Sequence, residues 1–218
     1  MFTGGCDFNT QISKKMIKGN ITLCGKISHA ATLRPNKKGE IYTNFTVKVS
    51  LPNRAGSTKE CYVFVRKKGG TANILEKYPV DTCVEITGVL TFRKSREKIY
   101  MNLTAESITC CEGEIKSGIK GEIEFYGTIG TIPEIKYDKH GNKYLCFSGF
   151  SSEKSGEERV FTWVRFIRFS EEKESFLEKG NGIHLVGVLD ILLYNERLNL
   201  GCRFKEVLSW GKEKEESE

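Results

Sequence analysis

The chain has 218 residues, 39% of them hydrophobic, and a formal net charge of +6, which is enough for two small cores of ordinary domain size. No run of about 18 apolar residues occurs, and residues 1–10 lack a cationic segment followed by an apolar one, so neither a membrane span nor a cleaved leader is expected. Charge is unevenly divided: residues 1–112 hold 18 Lys and Arg against 9 Asp and Glu, and residues 113–218 hold 16 against 19, so a polyanion would be met mainly by the first half.

After an N-terminal segment, residues 1–19, the runs 21–27, 42–49, 61–65, 84–92 and 99–103 alternate with a period of two and are rich in β-branched and aromatic residues. Turn formers such as Asn36-Lys37-Lys38-Gly39 and Pro52-Asn53 separate them, so five strands are expected. Residues 71–78, between the third and fourth runs, read as a helix. Residues 112–121 are polar with three glycines and read as a short linker between neighbouring domains. The order then recurs as strands 123–129, 143–150, 161–169, 183–191 and 197–204. A second helix is expected over 170–179, where Ser170 can cap a first turn carrying Glu171 and Glu172. Residues 211–218 form a charged tail expected to be disordered.

The two series are copies of one unit. Gly25, Gly39, Tyr42, Phe45 and Leu75-Glu76-Lys77 fall on Gly127, Gly141, Tyr144, Phe147 and Leu177-Glu178-Lys179 at a constant offset of 102. After a three-residue deletion, Gly88-Val89-Leu90 falls on Gly187-Val188-Leu189, and Glu97-Lys98-Ile99 on Glu196-Arg197-Leu198. Such a repeat dictates two domains of one fold, over residues 20–111 and 122–210. Five strands with a helix between the third and fourth is the order of an OB-fold. The expected class is therefore all-β, with two tandem five-stranded Greek-key barrels. Gly25, Gly88, Gly127 and Gly187 sit where a coiled sheet needs a bend or bulge.

The eight cysteines include no Cys-x-x-Cys pair, and Cys24, Cys83, Cys146 and Cys202 lie in apolar or alternating runs. They read as buried, reduced thiols of a cytoplasmic protein without a metal or small-molecule cofactor. His29, His140 and His184 share no spacing, and neither a phosphate-cradling glycine loop nor a nucleophile–base pair can be named. No catalysis is expected.

The stretch from Gly127-Thr-Ile-Gly through Pro133-Glu134-Ile135-Lys136-Tyr137 to His140-Gly141-Asn142 resembles the glycine-bent first strand, and the turn after it, of the bacterial single-stranded-DNA-binding protein family. Thr43-Asn44-Phe45-Thr46-Val47 and Gly88-Val89-Leu90-Thr91-Phe92-Arg93-Lys94 resemble two of its later strands. The resemblance covers residues 20–109 and 122–208. It implies sequence-tolerant binding of single-stranded DNA in replication, recombination or repair, without catalysis, by assemblies presenting four barrels.

In such binding a basic groove follows the phosphates while aromatic faces stack on bases. Thr162-Trp163-Val164-Arg165 resembles the family's Glu-Trp-His-Arg strand, which makes Trp163 a stacking residue, and the same alignment implies Phe169 and Tyr194. Trp163 and Arg165 share strand parity and hence one sheet face. At the aligned positions the first unit has Cys61, Lys67 and Ser95, but it offers Lys48, Arg66, Lys67, Lys68, Arg93, Lys94, Arg96 and Lys98, with Tyr62, Phe92 and Tyr100 as substitute rings. Phosphate attraction in the first unit and stacking in the second is the expected division. The family's short Pro-Phe recruiting element is missing from the tail. The alternative function is an OB-fold module that binds a protein partner or structured RNA. Two barrels per chain make a homodimer the expected four-barrel particle, the alternative being a monomeric internal pseudo-dimer.

Overall fold

The computed structural model describes residues 16–53, 56–95, 98–113, 116–155, 157–194 and 197–211. The first unit contains β1 (Ile17–Pro35), β2 (Ile41–Pro52), β3 (Thr58–Lys68), the helix α1 (Ala72–Lys77), β4 (Cys83–Ser95) and β5 (Lys98–Cys110). In the second are β6 (Gly118–Ile129), β7 (Glu134–Tyr137), β8 (Lys143–Ser155), β9 (Glu158–Arg168), β10 (Gly182–Tyr194) and β11 (Arg197–Ser209). The strands outrun the apolar alternation because their ends continue as long hairpins. Residues 212–218, most of the charged tail, lie outside the described residues, as does nearly all of the N-terminal segment.

Pairing closes each unit on itself. β1 pairs with β2 and β4, β2 with β3, β4 with β5, and β3 runs parallel to β5. The second ring repeats this through β6, β8, β9, β11 and β10, with β9 and β11 parallel. These are two OB barrels. In β3 the inward set, Cys61, Val63 and Val65, is buried while Tyr62 and Phe64 face out, as a pleat of period two requires. Register shifts at Gly88 and Gly187 mark bulges in the β4–β5 and β10–β11 hairpins. A Cβ on either glycine would come within 2.4 Å of a partner-strand carbonyl oxygen, so no other residue lets the strands approach this closely.

The barrels are joined edge to edge. β1 and β6 pair antiparallel from Ile17↔Phe125 to Cys24↔Gly118, giving one sheet of 11 strands. Residues 118–121, expected in the linker, thus belong to β6. Ser117 donates its hydroxyl to the Cys24 carbonyl and accepts the Ser50 N–H at 2.9 Å. The Lys18 ammonium meets the Glu124 carboxylate at 2.7 Å across the seam. Hairpins also reach over: the Lys94 ammonium donates to the Phe161 carbonyl at 3.1 Å, and Asn53 forms a β-bridge with Leu193.

The helix expected over 71–78 is present as α1, but the one expected over 170–179 is not. Arg168, buried at the end of β9, takes the backbone of that segment for itself. Its guanidinium donates to both Glu174 carboxylate oxygens, at 2.6 and 2.9 Å, and to the carbonyls of Glu172 and Lys205. The Glu172 carbonyl is therefore engaged by a side chain instead of a helical N–H. The Ser170 hydroxyl accepts from the Glu172 N–H in a local turn, without starting a helix. Of the four cysteines expected inside, Cys146 and Cys202 are buried, whereas Cys24 and Cys83 are half-buried. Among the described residues no helix is long and apolar enough to cross a membrane.

Candidate nucleic-acid interface

The outer face of barrel two is built by alternation along β8 and β9. Trp163, Arg165, Ile167 and Phe169 point away from the core, while Val164, Phe166 and Arg168 point into it. Opposite them stand Phe150, Ser148 and Cys146 on β8. Trp163 is 46% exposed, with its indole tilted against Phe150 at a centroid distance of 5.0 Å. Phe150 meets the exposed Phe161 edge to face at 5.4 Å. Beneath the indole lies Gly130, where an added Cβ would come within 2.4 Å of the ring. Arg165 is held beside the indole by donating Nε to Cys146 Sγ at 3.4 Å.

Trp163 and Arg165 line a groove of about 500 Å3 between the barrels. Lys94 and Ile99 of barrel one form part of its wall, and Asp190, Asn199 and Arg203 of barrel two also line it. Arg165 and Ser148 also border an adjoining hollow of about 600 Å3 that reaches Lys136 and Lys179. Phe169 continues the same face, is 66% exposed, and leans on Tyr144 at 6.0 Å. Tyr194 ends β10, and its side chain lies outside the described residues, as does Arg96 altogether.

The remaining cations of barrel one are dispersed. Arg93 is exposed on β4 opposite Tyr100. Lys48 is paired with Glu60 at 2.9 Å, a hydrogen-bonded carboxylate that raises its pKa above the ordinary lysine value. Lys68 meets Glu40 at 2.5 Å, and Arg66 lies 3.7 Å over the ring of Tyr42. Lys67 has the opposite parity from Tyr62 and stands across from Thr43. The structure therefore brings Trp163, Arg165 and Lys94 into one groove and Arg93 beside Tyr62 in another hollow, leaving Lys48, Lys67 and Lys68 outside both.

Register corrects the alignment of the two units in their third strands. Val63 pairs with Met101 and Val164 with Leu200; Phe45 pairs with Val65 and Phe147 with Phe166. The offset there is 101, because Phe147 and Phe166 are 19 residues apart along the chain where Phe45 and Val65 are 20 apart. Trp163 therefore corresponds to Tyr62, which is 56% exposed, whereas Cys61 is a core residue. Phe92, a substitute ring on sequence grounds, is buried as well. Phe64, Phe150 and Phe161 were missed because an aromatic in a strand reads equally well as core. Among the described residues no group of three His, Cys, Asp or Glu is placed to hold a metal ion.

No family model matches the sequence, and no curated protein matches it. Among solved structures, the wild-type single-stranded DNA binding protein from Thermus aquaticus is 18% identical, with a TM-score of 0.48, covering 92% of this chain and 96% of that one. The protein priB from Ralstonia solanacearum is 18% identical with a TM-score of 0.33, over 42% of this chain and 98% of its own. A small single-stranded DNA-binding protein from Streptomyces coelicolor is 15% identical with a TM-score of 0.35, over 43% and 93%. The likeness to the Thermus aquaticus protein extends over nearly the whole of this chain.

Proposed function

We propose that this chain binds single-stranded DNA with little sequence preference, as a non-catalytic protein of DNA replication, recombination or repair. The observation that carries the reading is the exposed indole of Trp163 beside the guanidinium of Arg165 in a groove walled by both barrels. A base can stack on the ring while its phosphate meets Arg165 or Lys94, and stacking is sequence-tolerant because every base has a π-face. A duplex keeps its bases stacked and cannot offer them. The test is a titration of single-stranded DNA, duplex DNA and RNA oligonucleotides at two salt concentrations. Tight, salt-dependent binding of single strands alone supports the reading, and indifference to all three refutes it.

The same reading includes assembly as a homodimer with four barrels. Val186, Val188, Leu208 and Trp210 are exposed on β10 and at the end of β11, and apolar side chains grouped on a sheet face favour association. The buried thiols Cys61 and Cys202, pushed up to about 12 by desolvation, are unreactive core groups and suit a reducing, cytoplasmic setting. A light-scattering mass of twice the 24.7 kDa chain is expected. A mass of one chain, unchanged by DNA, would refute the dimer.

A further inference from the structure

We propose that Cys83 and Cys111 form a redox-active dithiol, oxidised to a disulfide by exchange with a small anionic disulfide of the glutathione class that enters over Lys26. The pair is set by register. Val84 and Cys110 stand opposite one another in the β4–β5 hairpin, so Cys83 and Cys111 are the next facing residues, and the Cys111 N–H donates to the Cys83 carbonyl at 2.9 Å. Facing residues of such a hydrogen-bonded pair lie about 5.5 Å apart at Cα and project to the same face. A disulfide needs about 4.4–6.8 Å. Both thiols are half-buried, unlike the core thiols Cys61, Cys146 and Cys202.

The neighbouring thiols are set apart by geometry. Cys110 has the opposite parity, and its Sγ donates to the Lys77 carbonyl at the end of α1, at 3.8 Å. Cys24 faces Glu85, which makes it a diagonal neighbour of Cys83, about 7–8 Å away and beyond the span of a disulfide. From Cys111 it is separated by the whole of β4, about 9–10 Å. The Cys24 thiol donates to the Glu85 carboxylate at 3.6 Å. Burial, with Glu85 and Cys111 beside it, raises its pKa above the ordinary thiol value, so it stays protonated and is a poor nucleophile.

The class of the oxidant follows from what adjoins Cys83. Cys83 faces Lys26 on β1, and Lys26 faces Lys48 on β2, so Cys111, Cys83, Lys26 and Lys48 form one row across four adjacent strands. Cys83, Lys26 and Lys48 line a hollow of about 280 Å3, together with Ser50 and Ser117. Glu60 also lines it, and its carboxylate is engaged by Lys48 at 2.9 Å. The cation that faces Cys83, Lys26, meets the carboxylates of the incoming molecule. Cys111 does not line the hollow, so Cys83 reacts first. Its thiolate attacks one sulfur of the small disulfide, the S–S bond breaks, and one small thiol leaves with the proton that Cys83 gave up. The Cys111 thiolate then attacks the Cys83 sulfur, and the second small thiol leaves with the Cys111 proton. Two protein thiols are oxidised and one small disulfide is reduced to two thiols.

The experiment is incubation of the reduced full chain with oxidised glutathione, followed by alkylation, digestion and mass spectrometry. A Cys83–Cys111 crosslinked peptide is expected. The melting temperature should rise by about 5–10 °C, because the bond closes the loop over residues 83–111, and should return to its starting value in dithiothreitol. Cys111→Ser should trap glutathione on Cys83, whereas Cys83→Ser should leave Cys111 largely unmodified. Lys26→Gln should slow the reaction with oxidised glutathione severalfold and leave that with neutral hydroxyethyl disulfide unchanged. A wild-type chain that yields no Cys83–Cys111 peptide, whether it stays reduced, keeps glutathione on Cys83 or crosslinks other cysteines instead, overturns the dithiol. Equal rates for Lys26→Gln and the wild type with oxidised glutathione overturn the entry over Lys26.

Discussion

Trp163 owes its position to a missing side chain. Its indole lies where a Cβ at residue 130 would be, 2.4 Å from the ring. Gly130→Ala should therefore turn the ring out of the groove at a cost to folding of about 0.5–1 kcal/mol, because the clashing atoms end a mobile side chain. A shifted tryptophan emission maximum and weaker oligonucleotide binding, with a nearly unchanged melting temperature, are the expected signs. Trp163→Ala should weaken binding by about 1–3 kcal/mol, the worth of one base on one ring; equal affinity in a folded variant would remove Trp163 from the site. Arg168 makes the opposite kind of claim on its surroundings. Buried and held by Glu174, it fixes residues 170–177, and the hydrogen bond from Arg168 keeps the Glu174 carboxyl below its ordinary pKa. That contribution is present above the unfolded carboxyl's pKa of about 4.3 and is lost as pH falls through the lower folded value. Glu174→Ala should cost roughly 2 kcal/mol at neutral pH, discounted for the partial exposure of Glu174, and should flatten the acid limb of the stability curve. A variant with the wild-type acid limb would show the pair to be incidental. The shared face of Trp163 and Arg165 was legible because strand parity is local. The correspondence of Trp163 to Tyr62 was not, because one residue lost between the second and third strands leaves no mark at the flanking motifs.

At the scale of elements, the five strands that close each ring were legible from alternation and turn residues alone, whereas the short β7, which pairs with β8, was not expected. The helix over 170–179 was misread for a physical reason. Its cap and acidic first turn are real signals, but they are local ones, and a buried guanidinium outcompetes a short helix for the same carbonyls. The strand ends could not be read either, since beyond the core the hairpins are held by register and cross-barrel contact. The β4–β5 hairpin illustrates this, with Arg93 facing the rings of barrel one and Lys94 bonded to the Phe161 carbonyl of barrel two. Replacing Arg93 and Lys94 together by Gln should lower the salt dependence of single-strand binding by about 0.7 per lost phosphate contact. Weaker binding with an unchanged salt slope would assign the hairpin to holding the barrels together.

At the scale of the whole molecule the duplication was legible, but the manner of joining was not, because a glycine-bearing polar stretch reads as a linker whether or not it pairs. Here β6 begins inside that stretch and continues barrel one's sheet into barrel two. Pairing this close requires Gly121, which has a φ of +149° and whose absent Cβ would lie 2.2 Å from the Asn20 carbonyl oxygen and 2.7 Å from the Ile21 Cα. Gly118 on the same strand has open space around it and serves as the control. Because the seam is backbone pairing with the Lys18–Glu124 ion pair across it, the two barrels should unfold together. Gly121→Val must push β1 and β6 apart, at a cost of about 3 kcal/mol or more, while each barrel keeps its own closed ring. The expected result is two calorimetric transitions in Gly121→Val against one in the wild type and in Gly118→Val. A single transition at the wild-type temperature in Gly121→Val would mean that the contacts of Lys94 with Phe161 and Asn53 with Leu193 hold the barrels together, and that the seam is secondary.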